Sequence, residues 1–300
     1  MKVAITGGSG FVGRHVALAV LAAGHECTIL DLVDIPESLS SLGAKWCQGS
    51  LLSIDTMRQA FCGADAVLHL AAVGDVYRAA QNPALAAELN VLGSANVAEA
   101  CLAEGVGRLI YASTWEVYGK PVYEPIDEHH PTNPDHPYNI TKLAGEQLLL
   151  SYNKLQRLPV VSLRIGTAYG LGMRDNSVFS MFISRALRGE SLTISGDGRQ
   201  YRQFTHVSDI GDAFVAAMES HIQSEVVNVV AQESVSVRQL AELIIAQAPA
   251  PLSFGNPRPG DISPARLSAV KAHDLLGWTP RVLFAHGLAE LIDYSRHASD

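Results

Sequence analysis

The chain predicts a doubly wound α/β fold, in which a parallel sheet covered on both faces carries a smaller, irregular α/β lobe. Three observations lead there. Short strand-like runs, apolar nearly throughout, alternate with helical stretches as far as Arg164. A glycine-rich turn joins the first strand to the first helix, and beyond Arg164 the pattern breaks up around Gly166, Gly170, Gly172, Gly189, Gly196 and Gly198. Runs that are apolar at nearly every position suit strands buried on both faces.

In order, Val3–Thr6, Glu26–Leu30, Lys45–Cys47, Ala66–Leu70, Arg108–Ala112 and Val160–Arg164 read as strands. Gly10–Ala23, Ile54–Phe61, Pro83–Glu104 and Tyr138–Leu155 read as helices. Phe204–Ser220 reads as a strand end feeding a helix and Val226–Val230 as one more strand, both returning to the main sheet. Residues 1–164 with about 204–230 then form the sheet domain, and about 165–203 with 231–300 form the lobe. The Pro-rich stretch Pro249–Pro264 reads as a loop between helices.

With 300 residues, 48% hydrophobic and 17% charged, the chain has material for a large core and is not mainly disordered. A net charge of −8 removes the global signature of a nucleic-acid binder and leaves room for a local arginine pocket that takes a phosphorylated small molecule. The apolar run Val16–Ala23 is far short of a membrane span, and the residues before the first glycine turn are too few for a secretory apolar region. A cytoplasmic location without membrane contact is therefore expected. Cys27, Cys47, Cys62 and Cys101 lack CxxC spacing and read as reduced thiols. The run Asp127-Glu128-His129-His130, with Asp135 and His136, has no regular metal-ligand spacing and reads as a rim loop, so no metal is expected.

The turn Thr6-Gly7-Gly8-Ser9-Gly10-Phe11-Val12-Gly13 has the spacing Gly-x-x-Gly-x-x-Gly. The first glycine permits a tight turn, the second lets backbone approach a pyrophosphate, and the third lets helix and strand pack closely, the arrangement of a Rossmann-type dinucleotide site. The second strand ends in Asp31, 24 residues after Gly7. A carboxylate there accepts hydrogen bonds from ribose hydroxyls and repels a 2′-phosphate, which favours NAD over NADP. Arg14, just inside the helix, reads as a solvated or structural side chain.

Further motifs appear in order: Leu68-His69-Leu70-Ala71-Ala72, Asn90-Val91, Ala112 to Gly119, Tyr138-Asn139-Ile140-Thr141-Lys142, Arg164 to Gly170, Arg202 to Ile210, Arg258-Pro259-Gly260-Asp261 and Leu275 to Trp278. With them the whole chain resembles the extended short-chain dehydrogenase/reductase family, in its group of NAD-dependent nucleotide-sugar epimerases, dehydratases and decarboxylases. The resemblance implies that NAD is held by Gly7, Gly10, Phe11, Val12, Gly13, Asp31, Ser50 and Leu51, with Leu70, Ala71 and Ala72 on the nicotinamide side, next to Tyr138 and Lys142. It implies a catalytic set of Thr114, Glu116, Tyr138 and Lys142. The nucleotide-diphosphate sugar would meet Thr114, Thr167, Val178, Arg202, Arg258 and Asp261. It further implies a homodimer through the helices around 83–104 and 138–155, where Ala86, Ala87, Ala95, Ala98 and Ala144 allow close approach.

Chemistry supports Thr114, Tyr138 and Lys142 independently. Tyr138 and Lys142 stand at i and i+4 and so share a helix face. An ammonium beside a phenol, helped by a nicotinamide cation, lowers the phenol's pKa toward the operating pH, so Tyr138 can take a proton from a sugar hydroxyl while Thr114 shares its hydrogen-bond network. Guanidinium forks at Arg202 and Arg258 match diphosphate oxygens, and Asp261 orders Arg258 or binds a ribose hydroxyl.

This chain departs from the family pattern at three places. Ser50 stands where Asp is usual, Thr167 replaces a common Asn, and Trp115 occupies the position of the acid that dehydratases use. The leading expectation is C4 epimerisation of a UDP-hexose or related sugar nucleotide through a transient 4-keto intermediate. Glu116 leaves two alternatives open, decarboxylation of UDP-glucuronate and 4,6-dehydration. A non-catalytic dinucleotide sensor is disfavoured by the presence of both Tyr138 and Lys142, and an NADPH-dependent keto-sugar reductase by Asp31.

Overall fold

The computed structural model describes residues 1–256 and 265–297. Its strands are β1 (Lys2–Thr6), β2 (Glu26–Asp31), β3 (Lys45–Gln48), β4 (Ala66–His69), β5 (Arg108–Thr114), β6 (Val160–Ile165), β7 (Thr167–Tyr169), β8 (Leu192–Ser195), β9 (Tyr201–Arg202), β10 (Phe204–His206), β11 (Ser224–Val229), β12 (Val235–Ser236) and β13 (Leu252–Gly255). Seven of them form one sheet in the order β11-β6-β5-β4-β1-β2-β3, every pair parallel. This is the Rossmann-type doubly wound sheet that the alternating pattern predicts.

The pleat sorts side chains between two cores. Val3 and Ile5 of β1 pack with Val16, Ala17 and Val20 of the helix Phe11–Ala22 and with Ile210, Ala213 and Phe214 of the helix Val207–Glu219. Ala4, between them, faces Met57, Phe61, Val97 and Leu149 on the other side. A third cluster lies off the sheet, where Tyr169, Phe179, Phe204 and Phe284 stack ring against ring with centroids 4.9–6.4 Å apart.

Three expectations are corrected. The stretch 83–104 is not one helix: Asn82 caps a short helix Pro83–Ala87 by accepting from Leu85 N, a π-helical turn follows at Glu88–Leu92, and the helix Gly93–Ala103 completes it. The wider turn holds Asn90 inward, where it bonds the backbone of Val73 and Thr141 Oγ1. Only the strand within Val226–Val230 returns to the main sheet; β10 pairs with β7 in a separate two-stranded sheet. Finally, Leu252–Gly255, inside the expected Pro-rich loop, is a strand parallel to β8.

All four cysteines are free. Among the described residues no helix is long and apolar enough to cross a membrane, and no group of three His, Cys, Asp or Glu could hold a metal ion. The acidic and histidine run is spent on its own loop and on β11. Asp127 accepts from Tyr123 OH and His129 N, His130 Nε2 accepts from Val122 N, and Glu128 accepts from Asn228 N.

Candidate active site

The strand order turns back between β1 and β4, and a cleft of about 680 Å³ opens at the carboxyl end of the sheet there. Its floor is the glycine loop. Gly7 has φ +76°, and a Cβ on it would lie 2.6 Å from Ala71 N. A Cβ on Gly13 would lie 2.0 Å from Gly7 O, so the loop can close on the helix only with glycine there. Gly10 is the N-cap of the helix Phe11–Ala22 without any side-chain cap, which leaves the first-turn amides turned outward.

Asp31 sits at the end of β2 and bonds the loop itself, Oδ2 accepting from Ser9 N at 3.0 Å and Oδ1 from Val33 N at 3.2 Å. Across the cleft, the end of β5 supplies Thr114 and the helix Pro137–Gln156 supplies Tyr138 and Lys142. Pro137 at the first helical position and His136 as cap fix where that helix starts, and hence which side chains face the cleft.

The structure brings Gly7, Gly10, Phe11, Val12, Gly13, Leu70, Ala72, Thr114, Glu116, Tyr138, Lys142 and Thr167 into the wall of this one cleft. Ala71 lies just behind, its N–H donating to Thr6 Oγ1 at 3.2 Å. Ser50 and Leu51 are not part of the wall. Ser50 Oγ accepts from Leu52 N, and the Leu51 side chain is buried against Gly93. Val178 opens the helix Val178–Leu187 behind Ser177 and packs on the aromatic cluster. Arg202, on β9, donates to Tyr201 O at 2.8 Å and lies close enough to Glu116 to oppose protonation of that carboxylate. Arg258 and Asp261 lie outside the described residues.

The electrostatics correct one expectation. Burial, reinforced by the Glu116 carboxylate, pushes the Tyr138 phenol above its usual value, and hydrogen bonding to Thr114 only partly opposes this. The Lys142 ammonium stands over the Tyr111 ring, 4.1 Å from the centroid, and burial lowers its own pKa to about 7 against the pull of Glu146. Burial likewise raises Glu116, and Glu116 Oε2 has no hydrogen-bond partner. Ser113 Oγ, in the same wall, has none either. Polar atoms orphaned in a cleft wall are where a polar ligand would find partners.

The sequence reading missed the cleft's outer rim. Asp75, Arg78, Met173, Arg174, Asn176 and Ser177 line it, and Arg174 closes an ion pair with Asp75 while donating to Gly74 O at 3.1 Å. The Gly170 and Gly172 turns with the polar run after them were the available signal. His69 was quoted only as a motif residue. It is buried beneath the site and bonded to Thr6 Oγ1 at 2.7 Å and Ser94 Oγ at 3.0 Å.

A doubly wound sheet with a glycine loop at its turning point defines the class of dinucleotide-dependent α/β enzymes. Residues 3–230 match the NAD dependent epimerase/dehydratase family, and the chain belongs to that family. It is similar to the UDP-glucose 4-epimerase of Mycolicibacterium smegmatis, 31% identical over the full length of both chains. It is also similar to UDP-glucuronic acid decarboxylase 1 of Xenopus tropicalis, 33% identical over 98% of this chain and 72% of that one. Among solved structures, MoeE5 in complex with UDP-glucose and NAD superposes with a TM-score of 0.91, at 30% identity and with all of both chains covered. The donor set here suits the family's cofactor: outward amides and a glycine-rich loop for a diphosphate, and a carboxylate at the end of β2 for ribose hydroxyls.

Proposed function

We propose that the protein binds NAD and a nucleotide-diphosphate sugar and epimerises the sugar at C4. The observation that carries this reading is the convergence of Thr114, Tyr138 and Lys142 on one cleft wall opposite the glycine loop. Gly7, Gly10, Phe11, Val12 and Gly13 hold the cofactor's diphosphate, Asp31 its adenosine ribose, and Leu70 and Ala72 its nicotinamide side. NAD, when bound, supplies an acceptor for the C4 hydride and returns it.

Tyr138 takes the proton of the sugar 4-hydroxyl as the hydride leaves C4, and Thr114 holds the same oxygen through its hydroxyl. Lys142 as ammonium stabilises the charge that develops on the phenol, offsetting what burial costs it. Arg202 takes the substrate diphosphate. The 4-keto sugar then turns within the cleft, and Tyr138 gives its proton back to the new 4-hydroxyl, so the product has the substrate's mass. Trp115, buried against Tyr118, Ile126 and Val230, stands where 4,6-dehydration would need an acid, which disfavours that reaction.

Glu116 favours a second reading. With its pKa raised and one oxygen unpartnered, it can hold a proton near the sugar. In a UDP-uronate, oxidation at C4 leaves the carboxylate β to a ketone; carbon dioxide leaves with its bonding electrons going to C5, and Glu116 supplies the proton there.

Incubation with NAD and UDP-glucose, UDP-glucuronate or dTDP-glucose, followed by mass spectrometry and anion-exchange chromatography, separates the readings. A product of unchanged mass with altered retention supports epimerisation, and loss of carbon dioxide or water overturns it. Tyr138→Phe should lower turnover by about 10²–10⁴-fold.

The proposal includes a homodimer. Ala86 and Ala98 are fully buried within the chain and cannot line its interface, contrary to the sequence expectation. Exposed Leu92 and Ile140 on the same helices support the contact, and sedimentation showing only monomer would remove it.

A further inference from the structure

Behind the Tyr138 and Lys142 face lies a polar layer that no step above uses. Glu146, one turn beyond Lys142, is 1% exposed. Its carboxylate accepts from Ser162 Oγ at 2.8 Å and from Arg164 Nε and Nη2 at 3.2 and 2.6 Å. Arg164, itself buried, lies 4.6 Å over the Tyr118 ring, whose hydroxyl donates to Asn228 Oδ1 at 2.7 Å. Arg164 Nη1 has no partner. A buried ion pair with an unsatisfied nitrogen is no efficient route to stability, since well-packed apolar side chains do as well or better. Its position suggests what it does instead, because the carboxylate lies one helical turn from the site's ammonium, on the same helix face.

We propose that Glu146 is a positioning residue whose carboxylate, fixed by Arg164 and Ser162, keeps Lys142 in its ammonium form beside Tyr138, while the Arg164 charge limits that pull. The inference rests on the reading of Lys142 as the partner of Tyr138. The groups that face Lys142 are few. Tyr138 and Glu146 are on its own helix, Tyr111 comes from β5 beneath it, and His69 from β4 is held neutral by burial and by Lys142 itself. Glu116, two residues beyond Thr114, acts on Tyr138, and Arg164 is tied to Glu146 by their ion pair. Among the described residues Glu146 is thus the one anion acting directly on an ammonium that burial disfavours.

The test needs no turnover. The chain has six lysines, so labelling lysine Cε with carbon-13 gives few resonances, and Lys142 is assigned by its loss in Lys142→Arg. Its titration midpoint is then read directly in the intact protein. Glu146→Gln should lower the midpoint by about two units, the scale of a unit charge one turn away at an effective dielectric near 20. Glu146→Asp keeps the charge and should hold the midpoint within a few tenths of the native value. Arg164→Gln breaks the same ion pair but leaves the anion, so the midpoint should rise.

Opposite signs for the two pair-breaking variants support the proposal, because structural damage alone has no reason to move Lys142 both ways. Shifts of the same sign, or no shift in either variant, overturn it. If Arg164→Gln does not fold, the contrast between Glu146→Gln and Glu146→Asp decides alone, and equal midpoints there overturn it. With an active substrate, Glu146→Gln should also bring the alkaline limb of kcat to lower pH with KM little changed. Absence of turnover would count against the proposed function and leave the titration readable.

Discussion

Arg164 and Arg174 both pair with a carboxylate beside the same cleft, one behind its wall and one across its rim. The Arg164 and Glu146 side chains are 7% and 1% exposed, those of Arg174 and Asp75 53% and 16%. The difference in solvent decides what each pair can do. Behind the wall, two charges have given up hydration and depend on each other, so loss of one strands the other. At the rim, water takes over when the pair opens, and the contact ties the loop at 73–75 to the turn before the helix Val178–Leu187 without holding the fold together.

The largest effect should come from Arg164→Met. With Glu146 left as an uncompensated buried anion, urea unfolding should show a loss of about 3–5 kcal/mol. A loss below about 1 kcal/mol would mean that the wall is wetter than its burial indicates.

A second effect, confined to acid pH, belongs to His69 under the same wall. Burial, with Lys142 adding to it, lowers its pKa from 6.5 to about 3. Because the folded value is below the unfolded one, the contribution of His69 is complete above pH 6.5 and is lost as pH falls toward 3. Melting temperature followed over that window should fall less steeply in His69→Asn than in the native protein. Some slope should remain, since burial also lowers His15 and His206. Identical slopes would take the acid sensitivity away from this residue.

The smallest effect is expected at the rim. Arg174→Ala should change stability by less than about 1 kcal/mol, and the difference from the native protein should shrink as salt rises. A salt-independent loss of several kcal/mol would place Arg174 with the buried pair and remove the contrast.

The same contrast governs how much of the molecule can be read from its residues. The glycine loop was legible because its demand is local: a positive φ at Gly7 and no Cβ at Gly13 are met by glycine alone. Tyr138 and Lys142 were legible because four residues on a helix always share a face. Arg174 and Asp75 stand 99 residues apart, and no periodicity links them. Leu51 reads like any apolar residue after a strand, and only the close approach of Gly93 shows that its side chain is core. Ala86 and Ala98 suit a close helix contact, but the chain uses that contact internally.

By itself the sequence determined the alternation of strand and helix, the turn that shapes a diphosphate cradle, the carboxylate at the end of β2, and the face that carries Tyr138 and Lys142. Each follows from backbone freedom, apolar periodicity or spacing within one element, which neighbouring residues decide. Only the tertiary structure decided that β10 leaves the main sheet, that Asp75 and Arg174 meet at the rim, that Arg164 holds Glu146, and that the Tyr138 phenol is raised. Those outcomes depend on which distant segments meet and on how much water is removed where they do. A charge or a phenol acquires its energy from that environment, whatever its position in the chain.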